Sequence, residues 1–336
     1  MRMPPEWAPQ TSTWLSWPHN SEHWDGNLKT LEKKFAEISA AISRFQGVDI
    51  NAPTELHSRI RRVLSETDAD LERIFLHDHP TNDVWCRDHG PIFVENDDEL
   101  VITNWGFNGW GDKFSPYDLD DQVPLRVAET LKVRSVTPGL ILEGGSIEIN
   151  SSGQLLTTEA VLLNSNRNPH LSRSQIEEVL KHFLGATEIL WLGEGIIGDD
   201  TDGHIDDITR FTSDETIVTA IDPGGPNERV LEENLERLKA FRTSRGKPFQ
   251  IHTLPLPSPI QTTDWRLPSL PASYLNFLII NGAVLVPTFE QQEADQFALD
   301  LLQNLFPDRE LIPIVATELV REGGALHCIS QQQPAL

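Results

Sequence analysis

A hairpin, an amphipathic helix and a single strand follow one another repeatedly along this chain, and that repeat restricts the fold more than any other feature of its 336 residues. The first copy starts at Val84, turns at Asn96-Asp97-Asp98 and returns over 101–104, with a helix predicted near 123–131 and a strand at 134–136. The second has strands at 146–150 and 154–158 around Ser151-Ser152-Gly153. Its helix, 174–184, carries Ile176, Val179, Leu180 and Phe183 on one face and stops at Gly185 before a strand at 188–192. The third copy has strands at 205–212 and 216–221 around Ser213-Asp214-Glu215, a helix bearing Leu231, Leu235, Leu238 and Phe241, and a strand at 249–254. In the fourth, Asn281-Gly282, the strongest short hairpin signal in the chain, separates 274–280 from 283–287. A helix through Ala294, Phe297, Ala298, Leu301 and Leu305 ends before Pro307, and 311–315 completes the copy.

The fifth copy reads as split between the termini. The strand 326–329 is predicted to pair with 13–17, whose helix carries Leu28, Leu31, Phe35, Ile38, Ile42 and Phe45 and whose last strand is 48–50. A small helix with Leu56, Ile60 and Val63 follows. Modules of roughly 67 residues fill the chain five times over, so 1–336 is expected to be one α/β domain. Splitting one ββαβ module across the termini would close five of them into a ring around a central site. The Pro-, Ser- and Thr-rich stretch 254–271 reads as a long loop over that ring, of the kind that acts as a lid.

Charge narrows the partners. Lysine plus arginine (27) against aspartate plus glutamate (51) leaves −24, which argues against nucleic acid and suits a small cation. No apolar run reaches membrane-spanning length and the first residues lack the apolar core of a signal peptide, so the expectation is a cytoplasmic protein with no membrane partner. Cys86 and Cys328 are the only cysteines, too few for a disulfide framework or a zinc knuckle. Homo-oligomerisation is left open.

Equivalent strands of modules around an axis lie side by side, so their first residues should face one centre. Those positions hold Trp85 and Asp88, Glu143, His204 and Asp206, and Cys328. Each has a bland reading taken alone: a core tryptophan, a salt-bridged aspartate, a turn-bonding glutamate, a structural His-x-Asp pair, a small buried thiol. Together, buried carboxylates need a cationic partner. A planar guanidinium fits two aspartates edge-on, with Trp85 stacked on its face and Cys328 as nucleophile at its central carbon. His204 and Asp206, two apart on an expected strand, would face one side. Cys86 is expected to serve packing.

The stretches Thr81-Asn82-Asp83-Val84-Trp85-Cys86-Arg87-Asp88-His89-Gly90-Pro91, Phe107-Asn108-Gly109-Trp110-Gly111, Leu142-Glu143-Gly144-Gly145-Ser146, Asn164-Ser165-Asn166-Arg167-Asn168-Pro169-His170, Gly203-His204-Ile205-Asp206 and His327-Cys328-Ile329-Ser330-Gln331-Gln332-Gln333-Pro334 resemble the agmatine deiminase and bacterial-type peptidylarginine deiminase family. The resemblance implies a pentein five-bladed α/β propeller and hydrolysis of a guanidinium to a ureido group and ammonia, without metal or cofactor. It implies Cys328 as nucleophile, His204 as acid and base, Asp88 and Asp206 as guanidinium-binding carboxylates, and Trp85 and Glu143 as pocket residues. Two positions depart from patterns in that family: Asp202 before the Gly-His pair and Ala325 before the cysteine.

Asp202 would suit the second positive charge of agmatine. Free or peptidyl arginine would instead want a cationic clamp, for which Arg87, Arg210, Arg266 and Arg321 are candidates. An amidinotransferase on the same fold, a silent guanidinium-binding protein, and a metallohydrolase built on His77-Asp78-His79, His89 and the His204–Asp206 pair are the competing readings.

Overall fold

The structure, a computed structural model, describes residues 1–20, 27–260 and 269–336. In the N-terminal part, β1 (Gln10–Ser16) leads into the helix Leu28–Ser43 and then to β2 (Gly47–Ala52), parallel to β1. Leu31, Phe35, Ile38 and Ile42 of that helix are buried, as their three- and four-residue spacing predicts. After a short helix, His57–Leu64, the chain adds β3 (Ile74–Asp78) parallel to β2. That fourth strand, with alternation weakened by His77 and Asp78, was not expected from the sequence.

Four complete modules follow. The first contains β4 (Ile92–Asn96), β5 (Glu99–Thr103), the helix Val123–Leu131 and β6 (Arg134–Val136). The second contains β7 (Glu148–Ile149), β8 (Gln154–Thr158), the helix Arg173–Leu184 and β9 (Glu188–Leu192). The third contains β10 (Thr209–Phe211), β11 (Thr216–Ile221), the helix Glu228–Ala240 and β12 (Gln250–Pro255). The fourth contains β13 (Leu278–Ile280), β14 (Ala283–Thr288), the helix Gln292–Leu305 and β15 (Glu310–Val315). In each the first two strands are antiparallel and the third lies parallel to the second, giving separate three-stranded sheets. The last strand, β16 (Ser330–Pro334), pairs antiparallel with β1 from Leu15↔Ser330 to Gln10↔Pro334, so the two ends of the chain build one sheet.

The order of elements follows the sequence pattern, but the first strand of every module starts later than periodicity suggests. Residues 86–89, 144–146, 205–207 and 326–329 form single helical turns or turns ahead of β4, β7, β10 and β16, and Tyr274-Leu275 turns ahead of β13. An extended strand would send alternate side chains to opposite faces; a turn at its start gathers them at one end of the sheet.

These five turns are joined in a circle. Arg87 N donates to Cys328 O (3.0 Å), His327 N to Asn276 O (3.1 Å), Asn276 Nδ2 to Asp207 Oδ1 (3.0 Å), and Gly145 N to Asp88 Oδ1 (3.0 Å). The contact between Gly145 and His204, described below, completes the circuit. The architecture is the pentein propeller, five ββαβ blades around one hub. Among the described residues no helix is long and apolar enough to cross a membrane. Of the expected loop at 254–271, residues 261–268 lie outside the described part.

Candidate active site

Cys328 does not stand on a strand. It sits in the turn 326–329, held by Ser330 Oγ donating to Leu326 O (2.8 Å) and His327 O (3.1 Å), and β16 begins only afterwards. The local cause is the serine, whose side chain offers backbone carbonyls an alternative to the sheet ladder. Gly324 lets Trp85 in beside the thiol: a Cβ there would lie 2.6 Å from Trp85 Cζ3 and 3.0 Å from Cys328 Sγ. The buried sulfur accepts from Asn276 Nδ2 at 3.0 Å and lies 3.8 Å from Asp206 Oδ2.

His204 and Asp206 also stand off the expected strand. His204 has extended backbone and Asp206 belongs to the short turn Ile205–Asp207, so the two reach different neighbours. His204 Nδ1 lies 3.6 Å from Asp88 Oδ1, whereas Asp206 Oδ2 meets His327 Nδ1 at 2.7 Å. Both side chains are fully buried, but the period-two argument is not why they share a site.

Asp88, in the turn Cys86–His89, accepts from Gly145 N at 3.0 Å and from Trp110 Nε1 at 3.0 Å. Gly145 is required at that spot, since a Cβ would come within 2.6 Å of His204 Nδ1, 2.8 Å of Asp88 Oδ1 and 3.1 Å of Asp206 Oδ2. Three of the expected residues therefore converge on one glycine. Both ring nitrogens of His204, Asp206 Oδ1 and Glu143 Oε2 are buried with no hydrogen-bond partner among the described residues, a costly state unless a ligand meets them.

Glu143 and Asp202 belong to a clamp at one side. Arg167 donates through Nε to Glu143 Oε1 (2.5 Å) and through Nη1 to Asp202 Oδ2 (2.9 Å). Asp202, at φ +75°, also receives Lys113 Nζ on Oδ1 (2.6 Å) and Asn166 Nδ2 on Oδ2 (3.0 Å). Burial opposes its charge, but these donors hold its carboxyl below the usual range. Both its oxygens are engaged, so the free acid expected for a second substrate charge is instead the anchor of Arg167.

The electrostatics at the hub are those of crowded acids. Burial and the nearby Asp206 and Glu143 carboxylates push Asp88 up to about 6, against the pull of His204. For His204 burial favours the neutral ring, yet Asp88, Asp206 and Glu143 outweigh it and raise the imidazole's affinity for its proton. Burial, with Asp206, Asp207 and Asp88 behind it, lifts the Cys328 thiol well above its ordinary value. The site thus brings together a thiol that burial and acids hold in its protonated form, an imidazole biased toward its charged form, and carboxylates. A cation entering among them would favour the thiolate.

The competing assignments fare differently. His77 meets Asp49 (2.6 Å), Asp78 accepts from Thr54 N (2.9 Å), and His79 bonds Asn51 and Thr130 (2.8 Å each), so this trio is occupied within its own surroundings. Cys86 is buried, and burial pushes its thiol up to about 12. Among the described residues, two groups bring three ligand-type atoms within 4.8 Å: Asp206, Asp207 and Cys328, which is the site itself, and Glu6, Glu148 and His327, whose atoms are taken by one another and by Arg210.

Asn276, Trp110, Arg167 and Gly145 were not singled out from the sequence. Trp110 and Arg167 lie in stretches that carry the family resemblance. Asn276 was findable from the repeat, because it stands at the head of the fourth module where the other modules carry their polar residues.

The comparisons agree with this geometry. Residues 2–334 match the family described as Porphyromonas-type peptidyl-arginine deiminase. The agmatine deiminase of Pseudomonas syringae pv. tomato is 38% identical, over 99% of this chain and 95% of its own. The solved agmatine deiminase of Enterococcus faecalis superposes with a TM-score of 0.91 at 32% identity, covering 99% of this chain and 95% of its own. A substrate-bound cysteine-to-serine variant of C. jejuni agmatine deiminase gives 0.89 at 32%, covering 99% and 96%. With hub, repeat and full-length similarity in agreement, the chain belongs to the Porphyromonas-type peptidyl-arginine deiminase family.

Proposed function

We propose that this protein is an agmatine deiminase, hydrolysing the guanidinium of agmatine to the ureido group of N-carbamoylputrescine and ammonia through an amidino group carried on Cys328. The observation that carries the reading is the buried thiol 3.8 Å from Asp206 in a hub where Asp206 Oδ1, Glu143 Oε2 and both nitrogens of His204 have no hydrogen-bond partner among the described residues. Full-length relatives that bear the name agmatine deiminase support the choice of substrate.

The chemistry follows from the charges. Asp88 and Asp206 accept N–H groups from the edges of the guanidinium, and Trp85 flanks it. The bound cation drives the Cys328 proton off to solvent, and the thiolate adds to the guanidinium carbon. Imidazolium His204 gives its proton to the departing nitrogen, so ammonia leaves and a cationic amidino-thioether remains. Neutral His204 then takes a proton from water as the hydroxide adds to the same carbon. Expulsion of the thiolate and loss of the hydroxyl proton release the ureido product, with His204 again protonated. Positioned proton transfer of this kind supplies ~10²–10⁴-fold.

Agmatine is favoured over arginine because two of the described candidates for a carboxylate clamp, Arg87 and Arg210, are buried and committed to protein acceptors, which leaves only the half-exposed, loosely paired Arg321. Arg87 and Arg210 are buried against Gln332, Glu6 and Glu148, and Arg321 lies 4.0 Å from Glu318; Arg266 falls outside the described residues. The deciding experiment measures ammonia and ureido product from agmatine, free arginine and an arginine peptide, with and without an acceptor amine. Enzyme quenched during turnover should carry on Cys328 the mass of agmatine less ammonia, an amidino group that keeps the aminobutyl chain, whereas the mass of a bare amidino group would mark loss of the amine and transfer chemistry. Activity in Cys328→Ala, preference for arginine, or amine-dependent turnover would each overturn a part of the reading.

A further inference from the structure

Beneath the site lies a chain of buried acidic and basic side chains of which the proposed reaction uses only Asp206. His327, 1% exposed, meets a carboxylate at each ring nitrogen: Nδ1 to Asp206 Oδ2 and Nε2 to Glu6 Oε2, both at 2.7 Å. Glu6 comes from the N-terminal segment ahead of β1. Its Oε1 accepts from Ile279 N (2.7 Å) and its Oε2 from Arg210 Nη2 (2.7 Å). Arg210 continues to Glu148 Oε2 through Nε (3.0 Å) and spends Nη1 on the carbonyls of Leu275 (3.1 Å) and Phe277 (2.8 Å). Arg87, 4.0 Å from Glu6 Oε2, adds a third cation. Three acids and three bases are thus buried in alternation, and the segment before β1, β10, the turn ahead of β16 and the site are tied into one unit.

A neutral imidazole has one donor nitrogen, yet here both nitrogens face carboxylates whose surroundings hold them below the usual range, an arrangement that two N–H donors on the ring would satisfy. Asp206 shows what this does. Its Oδ2 is pinned by His327 while its Oδ1 stays buried with no hydrogen-bond partner among the described residues. We propose that His327, as an imidazolium braced by Glu6, is a positioning residue that holds one oxygen of Asp206 so that the other is presented to the guanidinium. This rests on the reading of Asp206 as a substrate-binding carboxylate. Burial works against the Asp206 charge, but the hydrogen bond and charge of His327 hold its carboxyl below the usual range.

Two variants separate the arms of the ring. His327→Asn keeps an N–H donor near the position of Nδ1, toward Asp206; His327→Gln reaches toward Glu6 instead. The glutamine variant is expected to raise KM for agmatine at least about 10-fold and lower kcat/KM by about 100-fold, with the asparagine variant recovering most of that loss. A purely structural role would affect both alike, so equal kinetics, or a KM unchanged in both, overturns the proposal. If neither variant folds, the unmodified protein decides. With ¹⁵N-histidine at neutral pH, one ring besides that of His204 should show two protonated nitrogens buried from exchange, and a bare nitrogen on His327 overturns the proposal. Wild-type KM in Asp206→Asn would instead remove the reading of the site, and the nitrogen spectrum would stand independently of it.

Discussion

At the residue scale the site is a problem of too many acids in one place, and its pH behaviour follows. Asp88 titrates in the folded protein at about 6, above the ordinary 3.8, because burial and two neighbouring carboxylates disfavour its charge. Guanidinium binding needs the carboxylate, so kcat/KM for agmatine should rise with pH through about 6; an acid limb near 4 would contradict this. The same shift affects stability. Between the two values the native state binds the proton that the unfolded chain has released, so the Asp88 contribution is complete below pH 4 and lost as pH rises to about 6, by up to about 3 kcal/mol. Thermal melts of Asp88→Asn compared with wild type should lack that part of the decline. At the sulfur, the high thiol value predicts little thiolate absorbance at 240 nm near pH 7.5 in the free enzyme. Addition of a guanidinium ligand should raise it, and Cys328→Ser should abolish the change.

The element that matters most is the turn ahead of each first strand, and it was the least legible one. Third strands at 134–136 and 188–192, second strands at 154–158 and 216–221, and the helix at 123–131 were readable because apolar periodicity and the turn residues between them govern them. The stretches read as strands at 146–150, 205–212, 274–280 and 326–329 begin as turns, because serine, aspartate and asparagine side chains there bond the backbone and one another. Gly145 and Asn276 belong to these turns, and each yields a prediction. Gly145→Ala places a methyl group against His204, Asp88 and Asp206, and should cost about 100-fold or more in kcat/KM while circular dichroism stays native. Asn276 donates to the Cys328 sulfur and its Oδ1 accepts from His327 N (3.0 Å) and Cys328 N (3.2 Å). Asn276→Ala should therefore reduce kcat about 10–100-fold with a smaller effect on KM, since it frees the nucleophile more than the substrate grip.

At the scale of the whole molecule, the hub exists only if the ring is shut, and the termini shut it. β16 covers the edge of β1, Arg87 Nη1 donates to Gln332 Oε1 (2.7 Å), and Trp14 Nε1 donates to Gln333 Oε1 (2.9 Å). Removal of residues 330–336 should abolish cooperative unfolding in calorimetry, whereas removal of Ala335 and Leu336 alone should leave it intact; a fully cooperative longer truncation would show that β16 is dispensable. The repeat, the split module and the residues that meet at the centre were set by the sequence, because apolar spacing, turn residues and the burial cost of unpartnered acids act locally or through the repeat. Which atoms face each other was decided by tertiary structure: Asp202 committed to Lys113 and Arg167, Trp110 bonded to Asp88, and Glu6 brought 321 positions along the chain to His327. Hydrogen-bond pairing between distant side chains depends on distance and direction in three dimensions, and no periodicity along the chain encodes either.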